Sequence, residues 1–267
     1  MKISPSEKSL RIVQLSDCHV SADPEAAYRG QSADGNLAAL LPVIRAWQPE
    51  FVLLTGDVSE DASAASYERV AAMLSTAGAP VLALPGNHDK PAVMSRFFPS
   101  GPWDGLLELQ VKRWQLLLLD STATDRVSGE LAALKLNELK NCLEGSDAEH
   151  ILVALHHQPV PVNAAWIDRY ALESPESLFD ALDRDPRIRC ICWGHVHQDF
   201  RAQRNGVALL GAPSSAANSL PHTNRFTPDP AGPCCRWLEL NSNGDVETGI
   251  LGLLDQSSTG KTSHKIK

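Results

Sequence analysis

Along the chain, short runs of Val, Ile and Leu alternate with longer stretches in which apolar residues return every three or four positions. This is the pattern of buried strands separated by amphipathic helices. The runs predict strands at 11–16, 51–55, 81–84, 114–120, 150–155, 187–193, 207–210 and 237–240. The helical period predicts helices at 35–47, 62–77, 129–143 and 175–183. Beyond Gly194 the helical period stops and strands follow one another through Gly and Pro turns. Alternation of this kind, with no break in composition, predicts one layered α/β domain over residues 1–254, a sheet sandwich flanked by helices. The polar, low-complexity stretch 255–267 is expected to be a disordered tail. Its Gly260-Lys261-Thr262 has the ending of a phosphate-binding loop, but Asp255 stands where that loop needs its first glycine.

Composition narrows the function. With 43% hydrophobic and 21% charged residues in 267, the chain can bury a large core, which excludes disorder as its main state. The net charge of −8 argues against a nucleic-acid partner, so any chemistry on phosphate must take its positive charge from a local source such as a metal ion. No apolar run approaches the roughly 18 residues of a membrane span. The opening MKISPSEKSL has no apolar core of a signal peptide, so a cytoplasmic protein is expected, bound to no membrane. Cys18, Cys142, Cys190, Cys192, Cys234 and Cys235 form no CxxC pair and read as reduced packing residues.

The chemistry gathers at strand ends. RIVQLS runs into Asp17-Cys18-His19, FVLLT into Gly56-Asp57, VLALP into Gly86-Asn87-His88-Asp89, ILVAL into His156-His157, and IRCICW into Gly194-His195-Val196-His197. In open α/β sheets the carboxyl ends of strands share one edge, and ligands bind there. Any one of these motifs could be a cap or a turn. Six of the nine histidines falling at such ends are not explained by turn chemistry, which has no need of imidazole. If these segments are extended, residues two apart face one way, which pairs Asp17 with His19 and His195 with His197 and turns Cys18 and Val196 into the packing. Carboxylates, an amide and imidazoles without thiolate are too many for one tetrahedral ion. They suit two first-row divalent metals sharing a carboxylate.

In their order, DxH, GD, GNH[DE], H and GHxH, these residues resemble the signature of the calcineurin-like metallophosphoesterases over roughly residues 11–200. The resemblance implies a four-layer αββα sandwich and two divalent or mixed-valence ions per chain, iron or manganese foremost, with zinc, cobalt or nickel as alternatives. It implies that one ion takes Asp17, His19, Asp57 and His197, that the other takes Asp57, Asn87, His156 and His195, and that His157 is left to support its neighbour. Within the family, HHQPVP followed by Trp166 and Asp168, then WGHVHQ, Pro213-Ser214-Ser215 and Arg236-Trp237-Leu238-Glu239-Leu240 look like the bacterial class III cyclic AMP phosphodiesterases.

That branch implies hydrolysis of 3′,5′-cyclic nucleotides, cAMP to 5′-AMP foremost, by a metal-bridging hydroxide, with His88 facing the leaving alkoxide as proton donor or charge stabiliser. The phosphoprotein phosphatases of the family hold a monoester with the arginine of an Asp-Arg-Gly triplet. Glu60, Asp61 and Ala62 stand there instead, which favours a diester and makes Glu60 a substitute partner for His88. Trp166, Tyr170 and Phe226 could stack on a base, and His222 and Asn224 lie in a late loop that could close the pocket, but none of these is counted in the site. The rival readings are another diester, such as a glycerophosphodiester or a nucleotide-sugar lipid, and a metal-free interaction scaffold of the same fold. A homo-oligomer is compatible with all of them.

Overall fold

The structure is a computed structural model that describes residues 9–253 and 264–266. The first sheet is built from β1 (Leu10–Leu15), β4 (Phe51–Thr55), β5 (Val81–Leu84), β12 (Cys234–Leu240), β13 (Val246–Gly252) and β14 (His264–Ile266), in the order β14-β13-β12-β1-β4-β5. The second contains β6 (Leu107–Val111), β7 (Trp114–Leu118), β8 (His150–Ala154), β9 (Ile188–Trp193), β10 (Phe200–Arg204) and β11 (Val207–Gly211), in the order β10-β11-β9-β8-β7-β6. A small hairpin, β2 (Ala27–Tyr28) and β3 (Gln31–Ser32), stands apart from both. The helices are α1 (Ala33–Trp47), α2 (Ala64–Leu74), α3 (Pro91–Met94), α4 (Ala133–Gly145), α5 (Ala165–Asp168) and α6 (Pro175–Leu182).

Three apolar layers hold the sandwich together. Leu37, Leu40 and Ile44 of α1 and Tyr67, Val70 and Leu74 of α2 pack on Val13, Leu15, Val52 and Leu54, the outer face of the first sheet. Leu139 and Leu143 of α4 with Leu178 and Leu182 of α6 cover Leu117, Ile151, Val153 and Ile191 of the second. Between the sheets, Leu10, Ile12, Leu53 and Leu238 meet Leu116, Leu152, Cys190 and Leu210. The order is helix, sheet, sheet, helix, as the period of the sequence predicts. Near the strand ends this inner layer turns polar. Gln14 donates to Trp193 O (2.9 Å) and Thr55 Oγ1 (3.1 Å), and its cross-strand neighbour Arg236 is fully buried.

The central strands run parallel, β1 with β4, β4 with β5, β7 with β8 and β8 with β9, so their carboxyl ends emerge together. Ser32 accepts a hydrogen bond from Gly35 N at 3.1 Å and starts α1 two residues before the expected position. Of the expected disordered tail, His264–Ile266 pairs antiparallel with β13. The rest of it, including Gly260-Lys261-Thr262, lies outside the described residues. Among the described residues no helix is long and apolar enough to cross a membrane.

Candidate active site

Each strand that ends in a polar motif leaves its sheet through an irregular turn. Asp17, His19, Asp57, His195 and His197 all have left-handed backbones, with φ of 53°, 45°, 50°, 67° and 49°. A residue with a Cβ pays about 1 kcal/mol or more for that conformation, and such strain persists where the surroundings fix it for function. The extended geometry expected for the two i, i+2 pairs is therefore replaced by alternating left-handed residues. Asp17 and His19 still reach one point, but His195 and His197 diverge: His197 turns to Asp17 and His19, and His195 turns to His156. The glycines make room. A Cβ at Gly56 (φ 88°) would meet His156 and the Gly86 backbone, and one at Gly86 would meet Asp57 and His156.

The convergence is tight. His197 Nε2 lies 3.3 Å from Asp17 Oδ1 and 3.3 Å from His19 Nε2. Asp57 Oδ2 lies 3.8 Å from His19 Nε2 and 3.4 Å from His156 Nε2, which is in turn 3.1 Å from His195 Nδ1. The backbone N–H of His88 donates to Asp57 Oδ1 at 2.9 Å, which leaves Oδ2 to the imidazoles on either side. Both oxygens of Asp17 accept from the His195 N–H, at 3.1 and 3.0 Å.

Three histidines have their outer nitrogen committed: His156 Nδ1 donates to Thr55 O (2.7 Å), His197 Nδ1 to Ala217 O (2.8 Å) and His19 Nδ1 to Glu60 Oε2 (2.7 Å). That is the usual support of a ligating imidazole, because it fixes the tautomer and aims Nε2 inward. His157 is different, with Nε2 donating to Val127 O at 3.0 Å and Nδ1 accepting from Ser121 Oγ at 2.9 Å, so neither nitrogen is free. Burial, reinforced by the charge of His156, pushes its pKa down to about 3 and keeps it neutral. Burial also acts on Asp57, but His156 and His19 outweigh it and hold the carboxyl well below its ordinary range. The same Asp57 charge lifts His156 to about 9 against the effect of burial. Cys18, between two of these residues, is driven up to about 12 by burial and takes a contact from Ser215 Oγ at 3.2 Å, which is the packing role expected of it.

The residues fit a pair of ions. Metal–ligand bonds of about 2.0–2.2 Å put neighbouring donor atoms roughly 3.0–3.5 Å apart on a tetrahedron or octahedron, close to the spacing found here. Asn87 Oδ1 is a buried acceptor with no partner among the described residues, as an amide ligand would be without its ion. The His/Asp groupings Asp17-His19-His197 and Asp17-Asp57-His156 are each able to hold an ion, and Asp57 stands between His19 and His156.

His88 is half-buried at the mouth, with Nδ1 3.3 Å from Glu60 Oε2, so one carboxylate joins His88 to His19. Three participants were not singled out from sequence. Asp89 closes the floor, accepting from Gly86 N (2.9 Å), Val58 N (3.2 Å), Ser59 N (3.1 Å) and Tyr67 Oη (3.1 Å), and burial with the nearby Asp57 charge raises it to about 6. Its signal was the last letter of the GNHD motif. Tyr28 stacks on His19 with ring centroids 3.9 Å apart, and Arg29 follows it; a two-residue hairpin strand leaves no periodic trace. Of the aromatics, Trp166 and Phe226 come within 6.1 and 6.2 Å of His197, whereas Tyr170 is exposed beside Arg169. His222 and Asn224 are exposed.

A helix-sheet-sheet-helix sandwich with an acid and imidazole centre at its shared strand edge defines a metal-dependent hydrolase of phosphate esters. The chain belongs to the calcineurin-like phosphoesterase family, whose model matches residues 10–199. It is 36% identical over 249 residues to the 3′,5′-cyclic adenosine monophosphate phosphodiesterase CpdA of Pseudomonas aeruginosa, covering 92% of this chain and 90% of that one. It is 34% identical over 252 residues to CpdA of Escherichia coli (strain K12), covering 93% and 92%. A dimetal phosphatase from Danio rerio shares the fold with a TM-score of 0.75 at 14% identity, over 97% of this chain and 99% of that one.

Proposed function

We propose that the chain is a dinuclear 3′,5′-cyclic-nucleotide phosphodiesterase with 3′,5′-cAMP as its foremost substrate. Asp17, His19, Asp57 and His197 hold one ion, and Asp57, Asn87, His156 and His195 hold the other. The observation that carries this is Asp57 Oδ2, set 3.8 Å from His19 Nε2 and 3.4 Å from His156 Nε2 while its other oxygen is pinned by the His88 amide. Two ions bound there supply Lewis-acid polarisation of the phosphoryl oxygens and lower the pKa of water at the site. The relatives named for cyclic AMP hydrolysis span nearly the whole chain, which supports the same substrate here.

The chain's own groups do the rest. Glu60 grips His88 through Nδ1, so Nε2 is the atom that gives a proton to O3′ as the P–O3′ bond breaks and water completes 5′-AMP. The carboxylate of Glu60 and the absence of an arginine between Asp57 and Ala62 disfavour the dianion of a monoester, whereas a diester carries one charge. A metal-free scaffold would have no reason to retain five strained ligand positions.

Measuring kcat/KM for 3′,5′-cAMP, cGMP, a 2′,3′-cyclic nucleotide, glycerophosphoethanolamine and AMP tests the reading. The expected result is cAMP first and AMP poor. Preference for the glycerophosphodiester would reassign the substrate, and strong AMP cleavage would defeat the diester argument. Elemental analysis tests the ligands: Asp57→Ala should lose both metals, and His157→Ala should keep most of its metal. Loss from His157→Ala but not from His156→Ala would reverse that pair.

A further inference from the structure

We propose that Arg29 and Phe226, with Trp166 behind them, form a subsite for the nucleobase of the substrate. The proposal rests on the cyclic-nucleotide reading for its chemistry and goes beyond it in naming the residues that recognise the base.

A cavity of about 310 Å³ opens beside the His197 half of the centre, with Arg29, Gln31, Ala217 and Phe226 among its walls. That is near the lower bound for pockets that take small organic ligands. It adjoins the centre through His197: Ala217 O, in its wall, accepts from His197 Nδ1 at 2.8 Å, and Phe226 meets the His197 ring at a centroid distance of 6.2 Å. A larger hollow of about 460 Å³ between α4 and α6 takes no residue from the strand ends.

The cavity's lining holds Arg29 and Asp229, and Arg29 is set among aromatic rings. Arg29 Cζ lies 4.0 Å from the centroid of Phe226, 5.4 Å from that of Tyr28 and 5.7 Å from that of Trp166. Trp166 meets Phe226 edge-on, at 5.3 Å and 78°. Tyr28 carries the array to the metal ligand His19, on which it stacks at 3.9 Å, and its hydroxyl accepts from Arg29 Nε at 3.1 Å. Arg29 is exposed and has a left-handed backbone, φ 49°, at the tip of the β2–β3 hairpin, so the turn itself presents its side chain to the aromatics. An exposed arginine gains little by lying over three rings, whereas a guanidinium and a phenyl ring at one cavity wall provide the two surfaces on which any base stacks. A diester phosphate at the centre would then have its nucleoside in the adjacent cavity.

The test compares substrates with and without a base. In Phe226→Ala and in Arg29→Ala, the ratio of kcat/KM for 3′,5′-cAMP to that for methyl p-nitrophenyl phosphate should fall roughly 10-fold, mostly through KM, and Phe226→Tyr should restore it. Calorimetry on the metal-loaded protein gives a readout independent of turnover: wild type should bind 5′-AMP roughly 10-fold more tightly than ribose 5-phosphate, and Phe226→Ala should lose that advantage. A ratio unchanged in both variants, or AMP bound no better than ribose 5-phosphate, overturns the subsite. Failure of the reaction reading looks different: wild type would bind AMP through Phe226 and yet leave cAMP intact, which would sustain the subsite and remove the substrate.

Discussion

At the scale of single residues, the pairing of His88 with Glu60 makes a prediction that separates chemistry from scaffolding. A group that protonates the leaving alkoxide matters most when that alkoxide is a poor leaving group. His88→Ala should therefore lower kcat/KM for 3′,5′-cAMP by roughly 10²–10⁴-fold and cost much less on bis(p-nitrophenyl) phosphate, whose aryloxide leaves without a proton. Equal losses on both substrates would reduce the His88 side chain to a structural role through Glu60, because the backbone N–H that holds Asp57 at 2.9 Å is kept in the alanine variant. The histidines and acids of the centre were legible in the sequence because imidazole after a buried strand has few structural uses. Their backbone state was not, since five left-handed residues without glycine run against local preference and are imposed by contacts from distant segments. Glu60 on His19 and Tyr28 on His19 were illegible for the same reason: both contacts close only when separate loops meet.

At the scale of elements, Asp61 ties the loop before α2 to the loop after β1. Its carboxylate accepts from Ala22 N at 2.7 Å, from Ser59 Oγ at 3.1 Å and from Ser63 N at 3.1 Å, and Ser63 in turn caps α2. Burial pushes the carboxyl up, but the hydrogen bonds from Ala22, Ser63 and Ser59 together outweigh it and take its pKa down to about 2 from 3.8. A depressed carboxyl stabilises the folded state fully above its unfolded pKa and loses that contribution as pH falls through the folded value. Asp61→Asn should therefore lower stability by about 1 kcal/mol at pH 7, a small value because the group is exposed, and the gap should close between pH 4 and pH 2 in urea unfolding. A gap independent of pH would mean that the amide loses geometry rather than charge. Strand legibility follows burial in the same way. β4 and β5 match the expected bounds because they are nearly continuous apolar runs, whereas β6 (LELQV) and β10 (FRAQR), the two edges of the second sheet, are half-polar and were not expected at all.

At the scale of the whole molecule, the two sheets are joined near the active edge by an ion pair whose cation is buried, rather than by apolar packing alone. Arg236 in β12 of the first sheet donates through Nη2 to Gly211 O (2.8 Å) and Phe200 O (3.3 Å) in the second, pairs with Asp199, and reaches Thr248 Oγ1 through Nη1 at 2.9 Å. Asp199 follows His197 by two residues, so this pair also anchors the segment that carries the ligand. Truncating a buried cation leaves its partners desolvated and unpaired, at a cost of about 3–5 kcal/mol, whereas an apolar side chain of similar volume recovers part of that. Arg236→Ala should fall near the lower end, because Asp199 is partly exposed and keeps Arg201 as a partner at 2.8 Å. Arg236→Met should be clearly more stable than Arg236→Ala in urea unfolding, since it fills the space between the sheets. It should nevertheless bind metal more weakly than wild type, because the Asp199 segment has lost its anchor to the first sheet. An Arg236→Ala variant within about 1 kcal/mol of wild type would show that the apolar layer alone holds the sheets together, and an Arg236→Met variant with wild-type metal affinity would show that His197 is set by its Ala217 hydrogen bond and not by this pair.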